Sequence, residues 1–258
     1  MEELRFSGVS LSYAAVDGSS TLALHDLDLA VAGGESVALI GPSGCGKSST
    51  LQMAAGLQQP TEGTVTIDGV PVDKPRQATA LILQDFGLLP WKTVAKNAEL
   101  GLKIRGVASD ERRGRALDAL RLVGLEGFAD KYPGELSGGM RQRLALARSL
   151  ALDVDLLLMD EPLSALDALL REQLQETLLS LWRDQGYAQV LVTHSIEEAV
   201  YLGQRVFVLT PHPGHVAHVV ENPHVGAEGY RGSEEFFALC RDIRAFLHEA
   251  SVEGGAHA

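Results

Sequence analysis

The residues best suited to chemistry form a glycine-rich run, Gly41-Pro-Ser-Gly-Cys-Gly-Lys-Ser48, directly after an apolar segment that predicts a β-strand at Ser36–Ile40. Such a run lets backbone N–H groups turn inward around the β- and γ-phosphates of a nucleotide. Lys47 would supply positive charge to the phosphate oxygens, and the Ser48 hydroxyl would bind Mg²⁺. A helix predicted from Lys47 completes the strand–loop–helix context of a phosphate-binding loop. The expected ATP-binding residues here are Gly41, Pro42, Ser43, Gly44, Cys45, Gly46, Lys47, Ser48 and Ser49.

Two adjacent carboxylates, Asp160 and Glu161, follow a second apolar segment, Val154–Met159. The uninterrupted apolar run predicts a strand that is buried on both faces. Carboxylates beside such a strand are costly unless a cation or a substrate uses them. Taken alone, the pair would be interpreted as a strand-end turn. Together with the phosphate-binding loop, it predicts a Mg²⁺ ligand in Asp160 and, in Glu161, a general base that orients the attacking water.

His194 follows a third predicted strand, Gln189–Thr193. Because the carboxyl ends of parallel strands meet in one crevice, we expect His194 near the γ-phosphate. The alternative is a structural histidine. Ser195 and Glu198 have the spacing of a capping box, which would fix the turn that carries His194.

A second glycine pair lies in the segment Leu136-Ser-Gly-Gly-Met140, ahead of a predicted helix. Gly138 and Gly139 leave backbone N–H groups open at the helix N-terminus, and Ser137 adds a hydroxyl, so the segment can bind an anion. The alternative is an ordinary Gly-Gly turn with a serine cap. With two phosphate-binding elements in one chain, a head-to-tail pair would let each copy clamp the ATP held by the other. Asp167 is then expected at the seam between the copies.

The elements that must position these residues follow from the hydrophobic pattern. Strands and helices alternate after residue 150, which predicts a parallel sheet with right-handed crossovers. The predicted strands are Glu3–Phe6, Leu27–Val31, Ser36–Ile40, Thr64–Ile67, Thr79–Leu83, Val154–Met159, Gln189–Thr193 and Arg205–Leu209. The predicted helices are Lys47 to about Gly56, a helix capped by Ser109 and ended by Gly124, Leu166–Asp184, Ile196–Leu202 and Glu234–Ala250. We expect an α/β core interrupted by a helical insertion, with the last six residues frayed.

Composition limits the possible functions. The 258 residues carry a formal net charge of -12, and this acidic balance argues against a nucleic-acid partner. The two cysteines, Cys45 and Cys240, have neither metal-ligand spacing nor a disulfide framework, which indicates a reducing compartment. We expect no signal peptide in the first ten residues, and charges interrupt every apolar stretch well short of a membrane span. A role at a membrane would therefore require a membrane-embedded partner.

The order of these motifs resembles that of the nucleotide-binding subunits of ABC transporters, from about residue 4 to 220. The matching motifs are Walker A (Gly41–Ser48), the Q-loop (Gln84), the signature (Leu136–Met140), Walker B (Leu156–Glu161), the D-loop (Ser164–Asp167) and the switch (His194). The resemblance implies one ABC ATPase domain: a P-loop NTPase (RecA-like) core at about 1–87 and 153–220, with an N-terminal antiparallel β part. It also implies a helical subdomain at about 88–152 and a C-terminal helical extension at about 221–258.

The resemblance also assigns roles. Gln84 would reach Mg²⁺ and the attacking water, and Ser137, Gly138 and Gly139 would bind the opposite chain's γ-phosphate. Tyr13 would stack on adenine, unless it is a strand aromatic packed in the sheet.

Finer features are similar to the nitrate/sulfonate/taurine uptake branch, namely the run from Phe86 to Trp91 and the pair Pro213-Gly214. Three apolar side chains, those of Leu88, Leu89 and Trp91, would form a cleft for a helix of the membrane subunit or, alternatively, pack inside the insertion. The sequence departs from the commonest pattern at Met140, Ser195 and His215.

The expected function is that of an ATP-hydrolysing subunit that energises an importer. Its expected partners are a second copy of itself, integral membrane permease subunits and a solute-binding protein, and its expected location is the cytoplasmic face of the inner membrane. Two alternatives share these motifs: an ABC ATPase of a non-transport envelope complex, and one that acts on nucleic acid. Sulfonate, taurine, nitrate and a pyrimidine precursor all remain open as the solute.

Overall fold

The computed structural model describes residues 1–14 and 19–254, which form two β-sheets surrounded by helices. The strands are β1 (Glu3–Ala14), β2 (Ser20–Ala32), β3 (Ser36–Ile40), β4 (Glu62–Ile67), β5 (Val70–Pro71), β6 (Thr79–Ile82), β7 (Leu156–Asp160), β8 (Ala188–Val192), β9 (Arg205–Leu209) and β10 (Val216–Glu221). The helices are α1 (Lys47–Ala54), α2 (Val94–Ala98), α3 (Leu100–Ile104), α4 (Ser109–Leu122), α5 (Gly138–Leu150), α6 (Ala168–Gln185), α7 (Ile196–Leu202) and α8 (Glu234–Gly254).

The larger sheet has the order β10-β9-β3-β8-β7-β6 and is parallel except for the edge strand β10. Every residue of β3, β7 and β8 is buried, as was predicted for β7 from its uninterrupted apolar run. Because these three strands are parallel neighbours, their carboxyl ends lie at one edge of the sheet. The loops after them carry the predicted site residues, so the sheet alone brings those residues close together.

The smaller sheet is antiparallel, in the order β2-β1-β4-β5. Its strands extend beyond the predicted bounds, and β1 runs for 12 residues to Ala14. β1 has several register shifts against β2, which interrupt the regular alternation of buried and exposed residues. That irregularity is why the sequence pattern predicted only its first part. β5 and β10 were not predicted, because β5 has two residues and β10 is a half-buried edge strand of mixed polarity.

Helices α2–α5 lie between β6 and β7 in the chain and pack around a common apolar cluster that includes Val94, Leu102, Leu120 and Leu144. The predicted cap of α4 is wrong. Ser109 is the first helical residue, Ala108 is the N-cap, and no side chain caps the helix. Two acidic residues in the first turn provide the favourable charge at this end instead.

The C-terminal helix α8 packs on α7, β9 and β10, where Tyr230, Phe236, Cys240 and Ile243 are buried. The helix predicted at Glu234–Ala250 is confirmed and continues to Gly254. The expectation of fraying falls partly on residues 255–258, outside the described residues. Within the described residues, no helix is both long enough and apolar enough to cross a lipid bilayer.

Candidate ATP site

The glycine-rich loop connects the buried strand β3 to helix α1. Gly46 has a φ of 89°, and a β-carbon there would lie 2.4 Å from Cδ2 of Leu24, so both the backbone conformation and the space require glycine. The Lys47 ammonium donates to the carbonyl oxygens of Gly41 and Pro42, both at 2.8 Å. The first turn of α1 contains no acidic residue. The loop therefore presents a positive charge and a helix N-terminus on the same side, a favourable arrangement for phosphate.

Two neighbouring cavities open beside this loop. The first, of about 320 Å³, is lined by Tyr13, Ala23, Ser43, Gly44, Gly46, Lys47, Ser48, Ser49, Gln84, Glu161 and Val192. The second, of about 500 Å³, is lined by Ser48, Gln52, Leu83, Gln84, Asp85 and Asp160. Ser48 and Gln84 line both cavities. Among the loop residues, Gly41, Pro42 and Cys45 line neither; the first two accept from Lys47, and Cys45 is fully buried behind the loop.

The three predicted metal ligands, Ser48, Gln84 and Asp160, meet at the second cavity. Asp160 is only 6% exposed. Burial raises the pKa of its carboxyl, and the neighbouring Glu161 raises it further, against the lowering effects of Ser48 and Lys47. A divalent cation would offset this cost. A hydroxyl, an amide and a carboxylate offer the oxygen donors that Mg²⁺ prefers, so the residues fit that ion.

Glu161 holds an uncommon backbone conformation directly after β7, with a φ of 49°. Its N–H donates to the carbonyl of Val192 on the neighbouring strand at 2.9 Å. Its carboxylate oxygen Oε1 lies 3.4 Å from Nδ1 of His194. The carboxylate thus faces the first cavity with the histidine beside it, the placement expected for a group that orients water.

The turn that carries His194 is held by neighbouring polar groups. Ser195 Oγ accepts from the N–H of Glu198 at 3.2 Å, which is half of the predicted capping box. The other half is wrong, because the buried Glu198 carboxylate accepts instead from the Thr193 hydroxyl. Thr193 Oγ1 also accepts from the N–H of Ser195 at 3.1 Å. These bonds bracket His194 and leave its side chain largely exposed.

Tyr13 lies near the end of β1 and lines the first cavity, with its side chain 46% exposed. Its hydroxyl is 2.8 Å from Oγ of Ser49 on α1. The alternative of a strand aromatic packed inside the sheet is therefore wrong. A half-exposed ring at the rim of the cavity can stack on a planar base, so the role in adenine binding stays a prediction.

The signature segment lies apart from the two cavities, at the N-terminus of α5. Ser137 is the N-cap of α5 and accepts from the N–H of Met140 at 3.3 Å. Ser137, Gly138 and Gly139 line neither cavity, so the segment is a separate helix N-terminus on this chain, and its role in binding an anion stays a prediction. Asp167, predicted at the seam between copies, is the N-cap of α6 and accepts from the N–H of Leu170 at 3.1 Å.

Sequence reasoning missed the side chains that hold the site loops. Gln142 on α5 donates to the Glu161 carbonyl, and Arg148 donates to the carbonyls of Phe86 and Gly87 in the Q-loop. The side-chain amide of the buried Asn97 accepts from the N–H of Leu89 and donates to the carbonyl oxygen of Leu89. The available signal was the presence of polar residues on the buried faces of apolar helices.

The segment after β9 lies against the back of the phosphate-binding loop. A β-carbon at Gly214 would lie 2.0 Å from the carbonyl oxygen of Cys45. His215, one of the three positions that depart from the commonest family pattern, stabilises this turn. Its Nδ1 lies 3.0 Å from the Thr210 hydroxyl. Of the predicted docking residues, Leu88 packs on the helical core and Trp91 is 70% exposed.

Known proteins are similar to this chain in sequence and in fold. The family model described as ABC transporter matches residues 24–164, more than half of the chain. A taurine import ATP-binding protein of Burkholderia thailandensis is 45% identical over 98% of this chain and 96% of its own length. A second, from Rhizobium johnstonii, is 43% identical over 95% and 96%. The dimeric structure of the bacterial ABC transporter cassette MJ0796 superposes with a TM-score of 0.79 at 33% identity, covering 84% of this chain and 98% of that one. The order of motifs, the paired cavities and relatives of nearly equal length lead to one conclusion: this chain belongs to the ATP-binding subunits of the ABC transporter family.

Proposed function

We propose that the chain binds and hydrolyses ATP to energise an importer of a small, taurine-like solute. The observation that carries the hydrolytic part is that Lys47, Ser48, Gln84 and Glu161 line one cavity, with His194 beside the carboxylate. The importer part is supported by relatives of nearly full length that are taurine import proteins.

In this site each residue has a distinct task. Lys47 and the loop N–H groups bind the β- and γ-phosphates, and Ser48, Gln84 and Asp160 would hold Mg²⁺, which supplies further positive charge to the phosphate oxygens. Glu161 accepts a hydrogen bond from the attacking water and aligns it with the γ-phosphate. His194, 3.4 Å from that carboxylate, donates to the γ-phosphate and stabilises the charge that develops there.

A second copy of the chain completes the site. Ser137, Gly138 and Gly139 of each copy bind the γ-phosphate held by the other, so ATP binding closes the pair and hydrolysis reopens it. A dimeric relative of the same fold supports this arrangement. Three parts of the chain take part in this movement. They are the core, at about 1–87 and 153–220, the helical subdomain, at about 88–152, and the extension at about 221–258.

The closure acts on membrane permease subunits through the exposed loop from Gln84 to Trp91. In this role the chain is a peripheral subunit at the cytoplasmic face of the inner membrane. A separate solute-binding protein delivers the solute to the permease.

Capture of the tagged chain from detergent-solubilised native membranes, followed by mass spectrometry, tests this function. We expect a multi-span permease to co-purify, and the Trp91→Ala variant to lose it. Phe237→Ala is the matched control, because it removes an exposed aromatic side chain from a different part of the chain, helix α8. This variant should still co-purify with the permease. Recovery of ribosomes, nucleic acid or soluble proteins alone would reject the transport role and leave the ATPase chemistry standing.

A further inference from the structure

Gln142 makes a buried bridge between helix α5 and the loop that carries the catalytic carboxylate. Its side chain is 2% exposed. Its Nε2 donates to the carbonyl oxygen of Glu161 at 2.9 Å, and its Oε1 accepts from the N–H of Ala165 at 2.9 Å. One amide therefore fixes the backbone at the start of the loop and again four residues later.

The backbone of Glu161 needs such support. A non-glycine residue at a φ of 49° persists only where its surroundings hold it. The N–H is held by Val192, and the carbonyl accepts from Gln142 and, at 3.2 Å, from the Ser164 hydroxyl. Because the direction of the Glu161 side chain follows from this backbone, the Gln142 bond sets where the carboxylate points.

Helix α5 also contacts other functional segments of the chain. Near its N-terminus, a β-carbon at Gly139 would lie 3.3 Å from the carbonyl oxygen of Ala165, so the signature segment packs closely on the same loop. Near its C-terminus, Arg148 donates to the carbonyls of Phe86 and Gly87 at 2.7 and 2.6 Å. The helix is thus attached at one end to the Glu161 loop and at the other to the Q-loop.

We infer that Gln142 is a positioning residue for hydrolysis: it holds the Glu161 carboxylate in the orientation that aligns water. Since Gln142 belongs to α5, this orientation is tied to the helix whose N-terminus receives the partner's nucleotide. The inference rests on the proposed role of Glu161 as general base.

The test compares the ATPase kinetics of Gln142→Ala and Gln142→Glu, each alone and combined with Glu161→Gln. Each Gln142 substitution alone should lower kcat at least about tenfold. A positioned general base contributes about 10²–10⁴-fold to the rate, and a displaced base loses part of that contribution. KM and nucleotide binding should change by less than about twofold, since the hydrogen bonds of Gln142 go to Glu161, Ser164 and Ala165, which lie outside the phosphate-binding loop. Gln142→Glu keeps the acceptor for Ala165 and removes the donor to Glu161, so it should share the kcat loss.

The combined variants separate positioning from general destabilisation. When Glu161 is already Gln, a further change at Gln142 should alter the residual rate by less than about twofold, because the two residues act as a unit. Gln189→Ala, which removes another buried glutamine at the far end of β8, is the control and should leave kcat unchanged while lowering Tm. Normal turnover in both Gln142 variants would overturn the inference alone, whereas normal turnover in Glu161→Gln would overturn the proposed base as well.

Discussion

The phosphate-binding loop and the signature segment are both glycine-rich and both precede a helix, yet their surroundings differ. The loop at 41–48 follows a strand whose residues are all buried, and Leu24 and Gly214 lie directly against it. The signature segment lies at the N-terminus of α5, where Ser137 is exposed and lines neither of the two cavities beside the loop. The phosphate-binding loop therefore lies in a nearly complete pocket, whereas the signature segment, with similar local chemistry, lies on the surface.

This difference predicts that the loop of one copy binds the nucleotide and that the signature segment of the other copy is needed for hydrolysis. A pocket that already contains lysine, hydroxyl and carboxylate groups can bind nucleotide without help. An exposed helix N-terminus binds an anion weakly until another surface excludes water from it. We therefore expect changes at the loop to abolish binding, and changes at the signature segment to spare binding and block turnover.

The largest effect is expected for Lys47→Ala. Removing the ammonium takes away the principal positive charge for the β- and γ-phosphates, so ATP affinity should fall about 100-fold or more and turnover should be lost. Titration with a fluorescent ATP analogue measures the affinity. Lys103→Ala, at an exposed helical lysine, should behave like the unchanged chain. Retained affinity in Lys47→Ala would contradict the assignment of this loop.

Ser137→Arg should also block turnover but should spare ATP binding. The bulky cation blocks the signature segment, so ATP affinity should stay within about twofold while turnover falls about 100-fold, because the pair cannot close. Equilibrium binding and steady-state ATPase assays separate the two quantities. If Ser137→Arg also lost ATP affinity, the segment would belong to the pocket of its own chain.

Mixing the Lys47→Ala and Ser137→Arg chains sharpens the comparison further. A mixed pair has one composite site made of an intact loop and an intact signature segment. Random pairing of equal amounts should therefore restore roughly a quarter of the activity of the unchanged chain. Titration of one variant into the other with ATPase detection measures this recovery, and its absence at every ratio would argue against sites shared between copies.

A smaller effect is expected for Gly214→Ala. The added β-carbon would lie 2.0 Å from the Cys45 carbonyl oxygen, so the phosphate-binding loop must shift. We expect ATP affinity to fall about tenfold, in line with the 1–3 kcal/mol that overpacking typically costs. Isothermal titration checks the affinity, and Gly232→Ala, where a β-carbon meets nothing within 4 Å, is the control. Unchanged affinity in both variants would show that the loop does not depend on this contact.

The smallest effect is expected for Tyr13→Ala. Loss of a half-exposed stacking ring should weaken ATP binding by about 1 kcal/mol, or about fivefold. Tyr13→Phe should retain most of the affinity, because it keeps the ring and loses only the hydroxyl contacts with Ser49 and Gln58. Tyr132→Ala, at a comparably exposed tyrosine near the signature segment, serves as the control in the same titration. An equal loss in Tyr13→Ala and Tyr132→Ala would remove the case for stacking.

Much of the framework could be predicted from local pattern. Three elements, Ser36–Ile40, Ile196–Leu202 and Arg205–Leu209, have the predicted bounds, because apolar runs and nearby capping or turn residues define them within a few positions. The same logic identified the loops after β3, β7 and β8 as the site, since parallel order follows from the alternation of strands and helices. The sequence thus determined which residues are chemically equipped for phosphate and metal.

Only the tertiary structure decided how those residues are held and where the second glycine segment lies. The Gln142 bond to Glu161 spans 19 positions, the Arg148 bond to Gly87 spans 61, and the contact of Gly214 with Cys45 joins segments far apart in the chain. The buried Glu198 binds Thr193 and not the backbone that its spacing suggested. Such partners depend on which distant surfaces meet when the helices pack on the sheet, and no local spacing or periodicity encodes that packing.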